Sequence, residues 1–409
     1  MKKILLMVAA IALVGGAAFA QGITLEQNKP EIDAALKAYA AAWSKANVPM
    51  TIKSVGGGTN IDLGTDLKAN FAAGDMPDIF VISGIEDYKQ WAGIILDLSG
   101  EKWVKETSVP FKVDGKVYGF PVAVEGWGLA YNADVLKKAG VDPKSLVNLA
   151  GYRAAFAKID SMKAALGLKS VVSMAASIDM DWVTGDHNFN SLLSNGLPYG
   201  DKSVTNDLLA GKVDAKRLAD YADWVELLFK YADPTVLTTG NYDAQVGAFA
   251  AGQAAFLHQG NWVDPNMAQA KATFKMAFAP HGSMSKATDG IFVSAPSFYV
   301  IDKDSKNVAA AKKFLNDLVY TEAGNTYMVK DAGMIPAYKN IKLSPSGQLS
   351  RSVQAWAAAG KIYSWNQYSF TDDFRHKTLG PIYNQFATGA ITKAQFIDLM
   401  TKAFQGLKQ

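Results

Sequence analysis

The stretch AAFLHQGNWVDPN, residues 254–266, places a large aromatic side chain where an apolar run ends. Glycine and asparagine precede Trp262, and Asp264 and Pro265 follow it, a composition typical of an exposed turn. A tryptophan on such a turn can offer a flat apolar surface to a ligand. We therefore predict that Trp262 contacts a ligand, with packing in the core as the alternative.

A second candidate, Glu125, lies inside the apolar run VAVEGWG. Burying an unpaired carboxylate is unfavourable, so this side chain must face a cleft, form an ion pair or lie at a strand end. Trp127 lies two residues further on and would point to the same side of a continuous strand. We predict that both residues contact a ligand. A structural ion pair for Glu125 and internal packing for Trp127 are the alternatives.

Short apolar strands alternate with amphipathic helices along the chain. Predicted strands are GITLEQ, MTIKSV, PDIFVIS, AAFLHQ, FKMAFAP and SFYVID. Helical periodicity predicts helices at about 148–166, 215–231, 242–251, 305–319 and 321–331, and a mostly helical region after Ser346. This alternation predicts an α/β fold with parallel strands flanked by helices.

Local signals fix several turns and helix ends. The Asp114-Gly115 pair within FKVDGKVYGFPV predicts a β-hairpin. Asn132 is predicted to cap a helix that stops at Gly140.

The N-terminus has the parts of a secretory signal peptide. Lys2 and Lys3 form a basic start, an apolar run follows, and Ala18 to Ala20 give the small-x-small pattern of a cleavage site. The apolar run is short for a membrane span. We predict cleavage after residue 20 and a place in the periplasm of a bacterium with two membranes. Because the chain has no cysteine to carry a lipid, we do not expect a lipoprotein.

The charge balance argues against nucleic acid and anionic membranes as partners. Removing Lys2 and Lys3 from 41 basic residues leaves 39 against 38 acidic ones, a net charge of +1. Phosphate backbones and anionic lipids attract strongly basic surfaces instead. The mature chain of 389 residues, 409 minus 20, is long enough for two domains.

Signatures of catalysis and of metal or nucleotide binding are missing from the sequence. No two histidines lie at the spacing of metal ligands. The four histidines of the sequence are His187, His258, His281 and His376. The glycine-rich SVGGGTNID lacks the Gly-Lys-Ser/Thr of a phosphate loop, and no Gly-x-Ser-x-Gly elbow occurs. We therefore predict no metal, no cofactor and no enzymatic activity.

Four segments occur in the order found in one protein family. FAAGDMPDIF carries the pattern F-x-x-G-x-x-P-D, and the others are KVYGFPVAVEGWGLAYNADVLKKAGV, GQAAFLHQGNW and NVAAAKKFLNDLVYTEAGNTYMVKDAGMIPAY. In these segments, from about residue 23 to residue 340, the chain resembles bacterial extracellular solute-binding proteins of the maltose-binding type. Within the first segment, Gly74 is expected to end a helix and Asp78 to have a structural role.

The resemblance implies a two-lobed periplasmic-binding-protein fold of type II. Each lobe would be a mixed, mainly parallel sheet flanked by helices, with a ligand cleft between the lobes at a hinge of several strands. The first lobe would comprise residues 21–128 and about 280–335, and the second 129–279 and about 336–409. The resemblance also implies a monomer that captures a sugar, an oligosaccharide or disaccharide, and delivers it to the inner-membrane permease of an ABC transporter.

The resemblance also implies site residues in the second lobe and at the hinge. Trp262 matches the family's Gly-x-Trp position, and Glu125 matches a position that accepts hydrogen bonds from sugar hydroxyls. Asp181 and Trp182 lie on a predicted loop, similar to where relatives place a second aromatic platform; a plain surface loop is the alternative. Trp365, in YSWNQYSF, is similar to a late aromatic residue of the cleft.

First-lobe candidates follow from the same resemblance. Asn28 and Lys29 lie at a strand end before a helix N-terminus, where relatives contact hydroxyl groups; for Asn28 a helix cap is the alternative. Asn60 and Asp62 follow the three glycines of SVGGGTNID and are candidate ligand contacts. Ser83 follows the Pro-Asp strand, where many relatives carry a tryptophan and this chain carries none.

Sugar binding requires both classes of candidate residue. Aromatic rings stack on the apolar faces of a sugar, and each such contact is worth about 0.5–1.5 kcal/mol beyond area burial. Hydroxyl groups need polar partners, because each buried unpaired one costs about 1–3 kcal/mol. Two alternatives stay open. A receptor for a non-sugar solute such as a polyamine would need several carboxylates around a slot, and a secreted glycosidase or lyase would need a marked carboxylate pair.

Overall fold

The structure is a computed structural model that describes residues 22–55 and 63–408. The predicted signal peptide lies outside these residues. Within them the strands form a six-stranded, a four-stranded and a three-stranded sheet, with helices packed around the sheets. No helix in the described part of the chain is both long enough and apolar enough to span a bilayer.

The six-stranded sheet has the strand order β2-β1-β3-β12-β5-β4. Its strands are β1 (Ile23–Gln27), β2 (Met50–Ser54), β3 (Ile79–Ile82), β4 (Phe111–Val113), β5 (Lys116–Pro121) and β12 (Phe298–Ile301). Strand β1 runs parallel to β2 and to β3, whereas β12 pairs antiparallel with both β3 and β5. A strand from late in the chain therefore joins the two halves of this sheet.

The other two sheets are smaller. The four-stranded sheet has the order β10-β7-β9-β8 and contains β7 (Leu129–Asn132), β8 (Ser170–Ser173), β9 (Ala254–Leu257) and β10 (Met276–Ala279). The three-stranded sheet contains β6 (Glu125–Trp127), β11 (Ile291–Ser294) and β13 (Ile362–Tyr363).

The sheets are mixed, as predicted, but they are not mainly parallel. Strand β7 pairs antiparallel with both β10 and β9, and β11 pairs antiparallel with β6. The reason is that the chain passes repeatedly between the large sheets. A strand that enters a sheet from the other large sheet runs antiparallel to the strands that alternate with helices.

The predicted helices are present, and they pack against the faces of the sheets. The helices of the first half are α1 (Asp33–Ser44), α2 (Leu63–Ala73), α3 (Ile85–Trp91), α4 (Ala133–Ala139), α5 (Leu149–Ser161), α6 (Phe189–Ser194) and α7 (Ser203–Leu209). Those of the second half are α8 (Ala215–Lys230), α9 (Pro234–Thr239), α10 (Tyr242–Ala250), α11 (Asp264–Gln269), α12 (Val308–Tyr320), α13 (Glu322–Thr326), α14 (Gln348–Ala358), α15 (Gly380–Ala387) and α16 (Lys393–Gly406).

Local sequence signals predicted several turns correctly. Asp114 and Gly115 adopt φ values of 49° and 79° at the hairpin between β4 and β5. The Asn132 side chain accepts hydrogen bonds from the Asp134 and Val135 N–H groups at the start of α4, and Gly140 ends that helix in the left-handed region. Asn28 is exposed, and Lys29, which contributes no side-chain cap, precedes the short 3₁₀ turn Pro30–Ile32. The alternative role of Asn28 as a helix cap is therefore not found, and its contact with a ligand stays a prediction.

Asp78 has the structural role that was predicted for it. Its carboxylate accepts hydrogen bonds from the Thr24 N–H group at 2.6 Å and from Asn307 Nδ2 at 3.1 Å. These bonds tie β1, β3 and the segment after β12 together. Gly74, with φ of 70°, ends α2 as predicted.

Two large apolar cores lie around the two larger sheets. The first core is built from buried residues of 23–123 and 299–341, and the second core from buried residues of 129–293 and 335–404. Strand β6 carries the chain from the first core to the second, β11 carries it back, and the segment after Ile335 crosses again. The three-stranded sheet therefore lies at the junction of the cores, and Glu125 is part of it.

Candidate functional site

Glu125 and Trp262 lie close together at the junction of the cores. Strand β6 places Glu125 opposite Ser294 of β11. The Gly126 N–H group donates a 2.8 Å hydrogen bond to Asn261 Oδ1, and Asn261 Nδ2 donates to Ser350 Oγ at 3.1 Å. Asn261 thus fastens the turn that carries Trp262 to the strand that carries Glu125.

Glu125 forms an ion pair with Lys29, the alternative that its burial allowed. Lys29 Nζ donates to Glu125 Oε1 and lies 3.9 Å from Glu31 Oε1. Burial alone would lower the pKa of Lys29, but Glu125 and Glu31 outweigh it and raise that pKa. Burial also raises the pKa of Glu31 to about 7, although the Lys29 charge opposes this shift. The three side chains line a small cleft together with Asn261, Trp262 and Gly333.

Trp262 is partly exposed, and two neighbours fix its ring. A Cβ atom on Gly260 would lie 1.9 Å from Trp262 Cζ3, so the six-membered ring rests directly on the Gly260 backbone. The indole Nε1–H donates to Gln259 Oε1 at 2.9 Å. The glycine of the Gly-x-Trp pattern is therefore needed for close approach of the ring, since any side chain there would displace it.

Four tryptophan rings surround the imidazole of His187. The distances between ring centroids are 4.8 Å to Trp262, 5.4 Å to Trp182, 5.6 Å to Trp365 and 5.6 Å to Trp127. Trp182, Trp262 and Trp365 are partly exposed. The structure thus brings the predicted aromatic residues together, although they come from distant segments of the chain.

Trp127 differs from the other three because it is only 1% exposed. It stacks on Phe292 with a centroid distance of 4.1 Å. Its ring packs inside the cluster, as the alternative of internal packing describes, and its contact with a ligand stays a prediction. The imidazoles of His258 and His281 lie 5.8 Å and 4.8 Å from the Trp127 ring. Burial lowers the pKa of His258 to about 4 and those of His187 and His281 well below the usual value.

Asp181 and Trp182 lie in helical structure and not on the predicted loop. Trp182 immediately precedes the π-helical segment Val183–Asn188. The error arose because a π-helix does not follow the 3.6-residue periodicity of an α-helix. Asp181 Oδ1 lies 2.8 Å from His376 Nδ1, and both side chains are about one quarter exposed, at 24% and 25%.

A second π-helical segment, Asp373–Leu379, faces the first one. Its Arg375 is 2% exposed and forms ion pairs with Asp186 and Asp372. His376 Nε2 lies 3.7 Å from Asp186 Oδ2. Burial lowers the pKa of Arg375 to about 10. The arrangement groups charged side chains beside the tryptophan cluster.

Ser83 is partly exposed, and its N–H group donates a 2.7 Å hydrogen bond to Asp87 Oδ2. A Cβ atom on Gly84 would lie 2.7 Å from Tyr368 Cβ, so the wall after β3 touches the C-terminal part of the chain here. The Arg375 guanidinium lies 4.9 Å from the centre of the Tyr368 ring. Burial raises the pKa of Asp87, while Arg375 and His376 oppose that shift.

The remaining first-core candidates are not all at the cleft. Lys29 lines it, as described above, whereas Asn28 is exposed and is not among the residues that line it. Asn60 and Asp62 lie outside the described residues. No group of three or more histidine, aspartate or glutamate side chains within 22–55 and 63–408 is arranged to hold a metal ion.

Several residues of this region were missed from the sequence. They are Glu31, Asp87, His187, Tyr368, Arg375 and His376. Only Glu31 had a local signal, because it lies two residues from Lys29 before a helix. The others come together through the fold, since α3, the first π-helical segment and the C-terminal region are far apart in sequence.

Solved structures with this fold support the architecture. The solute-binding protein RafE in complex with raffinose aligns with a TM-score of 0.75 at 18% identity, covering 95% of this chain and 100% of that one. A sugar transporter protein of Bacillus licheniformis in complex with stachyose aligns with a TM-score of 0.75 at 17% identity, covering 95% and 100%. These likenesses confirm the predicted two-lobed fold of type II.

Relatives in sequence point the same way. The multiple sugar-binding protein of Streptococcus mutans is 23% identical over 399 residues, which cover 90% of this chain and 88% of that protein. The maltodextrin-binding protein MdxE of Bacillus subtilis is 26% identical over 292 residues, covering 68% and 63%. The model of one family matches residues 27–335, and the chain accordingly belongs to the bacterial extracellular solute-binding proteins.

Proposed function

We propose that this protein captures a saccharide, an oligosaccharide or disaccharide, in the cleft between its two cores and delivers it to the permease of an ABC importer. It acts by binding and carries out no catalysis. Relatives named for the binding of multiple sugars, of melibiose, raffinose and stachyose, and of maltodextrin support this class of ligand.

The observation that carries the proposal is the grouping of Trp182, Trp262 and Trp365, all partly exposed, around His187. Flat apolar rings suit the C–H faces of a pyranose, and polar groups at their edge suit its hydroxyls. Glu125 and Lys29 line the same small cleft as Trp262 and supply such polar groups. A cleft for a purely apolar ligand would not place an ion pair beside its tryptophans, because burying charge is costly.

We assign residues 21–128 and about 280–335 to the first lobe, and 129–279 and about 336–409 to the second; the extent of the second core to Val293 favours a start near residue 294 for the returning first-lobe segment. A saccharide that contacts both lobes stabilises the closed arrangement, and the permease binds that arrangement. We further propose that the protein works as a monomer in the periplasm, after removal of its signal peptide and without a lipid anchor.

Substitution of Trp262 tests the proposal. We expect Trp262→Ala to weaken saccharide binding at least about thirtyfold, since loss of a central aromatic contact costs ~2 kcal/mol or more. Binding is measured by calorimetric titration with melibiose, raffinose, stachyose and maltodextrins. The protein should stay folded with a modestly lower melting temperature, because Trp262→Ala leaves the buried Gln259 Oε1 without its donor.

Trp356→Ala is the matched control. Trp356 is also partly exposed, packs against the second core and donates from Nε1 to the Phe278 carbonyl at 3.1 Å, but it is not part of the cluster around His187. It should leave affinity unchanged. Failure of the wild-type protein to bind any of these saccharides would refute the proposed function, and equal affinity of wild type and Trp262→Ala would refute the assignment of Trp262.

A further inference from the structure

A chain of buried amide groups runs from Trp262 into the second core. Trp262 Nε1 donates to Gln259 Oε1 at 2.9 Å, and Gln259 Nε2 donates to Gln245 Oε1 at 2.8 Å. Gln245 Nε2 in turn donates to the Ser173 and His258 carbonyls at 3.3 Å and 3.2 Å. Gln259 is 1% exposed and Gln245 is fully buried.

The direction of every bond in this chain is determined. The indole N–H can only donate, so Gln259 must present its oxygen to Trp262 and its NH₂ group to Gln245. At the other end the Ser173 and His258 carbonyls can only accept, so Gln245 must present its NH₂ group to them and its oxygen to Gln259. Reversing either amide would leave two donors or two acceptors facing each other.

The hydrogen-bonded series of amides ends, on the side away from Trp262, at a helix and a strand. Gln245 belongs to α10, and Ser173 is the last residue of β8. The Ser173 hydroxyl donates back to the Gln245 carbonyl at 2.6 Å, which ties this helix to the sheet a second time. A fully paired buried network of this kind holds one arrangement of its side chains, because any other arrangement leaves a buried polar group unpaired.

The ring has a second, independent support. Its six-membered part rests on the Gly260 backbone, as the 1.9 Å distance from a Gly260 Cβ atom to Trp262 Cζ3 implies. Contact on one side of the ring and a hydrogen bond at its pyrrole edge together define the plane of the indole. Neither contact alone would do so, since a ring held only at its nitrogen can rotate about that bond.

We propose that Gln259 and Gln245 are positioning residues that set the plane of the Trp262 ring before a ligand arrives. The inference rests on the proposed function, because it gives Trp262 the role of a saccharide platform. A ring that is already oriented loses little conformational freedom on binding, and this pre-organisation increases affinity. Gln259 and Gln245 act through Trp262 and do not contact the ligand.

The test uses Gln259→Met, which keeps the length of the side chain and removes both hydrogen bonds. In ¹⁵N-labelled protein without ligand, the Trp262 indole N–H signal, identified by its loss in Trp262→Phe, should move further than the other indole signals. Saccharide affinity should fall about tenfold, because the freed Trp262 ring must then be ordered when the ligand binds. Gln245→Met should move the same signal by a smaller amount, and it serves as the second variant if Gln259→Met does not fold.

Gln348→Met is the matched control. Gln348 is partly exposed beside the second core and bridges the Phe274 carbonyl and the Met276 N–H group at 3.1 Å and 3.2 Å, but no hydrogen bond joins it to Trp262. It should leave both the Trp262 signal and the affinity unchanged. A merely structural role of Gln259 would lower stability in the same way as Gln348→Met and would not single out the Trp262 signal.

A double-mutant cycle separates action through Trp262 from any other effect. Phenylalanine at 262 retains a ring but has no N–H group, so Gln259→Met should have no further effect on affinity in the Trp262→Phe background. An unmoved indole signal in Gln259→Met, or an equal loss of affinity in both backgrounds, would overturn the inference. If the wild type binds no saccharide, the proposed function fails, and the indole signal alone still decides whether the two glutamines position the ring.

Discussion

Lys29 places one positive charge between two carboxylates at the edge of the cleft. Its Nζ contacts Glu125 and lies 3.9 Å from Glu31, and all three side chains are largely buried. One ammonium group cannot neutralise two carboxylates, so one of them stays protonated more easily than in water. Burial identifies Glu31 as that group, with a pKa of about 7. Near neutral pH the charge of the cleft therefore depends on Glu31.

The raised pKa of Glu31 predicts a pH dependence of stability. The folded state holds the Glu31 proton more tightly than the unfolded state, whose carboxyl has the ordinary pKa of 4.5. The contribution of Glu31 to the free energy of unfolding is thus greatest below pH 4.5 and declines as the pH rises to about 7. Glu31→Gln removes this decline, so its stability relative to wild type should increase with pH between 4.5 and 7.

Urea unfolding of both proteins at several pH values measures this difference. Taking the difference between the two proteins is essential, because the buried histidines act in the opposite direction. Their lowered pKa values mean that stability is lost as the pH falls below 6.5. This loss is common to both proteins and cancels. A constant difference across the range would contradict the role given to Glu31.

At the level of single residues, the sequence predicted what depends on neighbours along the chain. Glu125 stood out because a carboxylate in an apolar run needs a partner, and Trp262 because its turn is polar. The partner itself, Lys29, is 96 residues away, so no local pattern could select it. His187 was set aside because the histidines are scattered in sequence, whereas folding brings three of them to the ring of Trp127.

At the level of elements, the two π-helical segments form the support of the tryptophan cluster. One carries Asp186 and His187, the other carries Arg375 and His376, and the ion pair between Arg375 and Asp186 joins them. A π-helical turn points side chains in directions that a regular α-helix does not, and such turns are frequent at functional sites. The orientation of His187 among the tryptophans therefore depends on the packing of these two segments.

Substitution of Arg375 should destabilise the protein strongly. Arg375→Met leaves the carboxylate of Asp186 without its buried partner, and breaking a buried ion pair in this way costs about 3–5 kcal/mol. Urea unfolding measures the loss. Arg153→Met is the control, because the ion pair of Arg153 with Asp223 is 48% and 34% exposed and should contribute at most about 1 kcal/mol. A similar small effect of both substitutions would contradict the role of Arg375.

Secondary structure was predictable wherever a turn residue or a cap determined it. The hairpin at Asp114-Gly115 and the helix between Asn132 and Gly140 are of this kind. The relative direction of the strands was not predictable from periodicity, because alternation of strands and helices does not say which strands cross between sheets. Asp181 and Trp182 were expected on a loop for a different reason, because the π-helical segment that follows them does not show the periodicity of an α-helix.

At the level of the whole molecule, the two cores touch where Gly84 meets Tyr368. Because Gly84 has no side chain, the wall after β3 can approach the C-terminal region closely. A Cβ atom there would lie 2.7 Å from Tyr368 Cβ and 3.2 Å from the Tyr368 carbonyl oxygen. We expect that closure of the cleft around a ligand requires a residue without a side chain at position 84.

Gly84→Ala should therefore favour the open arrangement. Its φ of 173° is extended backbone that alanine adopts freely, so the effect arises from contact with Tyr368 and not from strain. We expect affinity for a saccharide to fall about tenfold while the melting temperature changes little, because an open state that is more populated at rest must be converted before binding. Small-angle scattering at a ligand concentration that half-saturates the wild type should show less compaction in Gly84→Ala than in wild type.

Gly93→Ala is the control for this substitution, since a Cβ atom there meets nothing within 4 Å. It should retain wild-type affinity and compaction. Unchanged affinity in Gly84→Ala would show that the contact with Tyr368 does not limit closure.

The position of β12 at the centre of the six-stranded sheet also has a consequence for the time order of folding. Strands β1 to β5 are synthesised first, but β3 and β5 are joined only through β12, which ends at Ile301. Before β12 is synthesised, the first five strands can form at most the β4–β5 hairpin and the three-stranded part β2-β1-β3, and both have unpaired edges. The first core must therefore wait for about 180 further residues, including those of the second core, before its sheet is complete. We therefore expect the first core to complete its folding later than a core built on consecutive strands would.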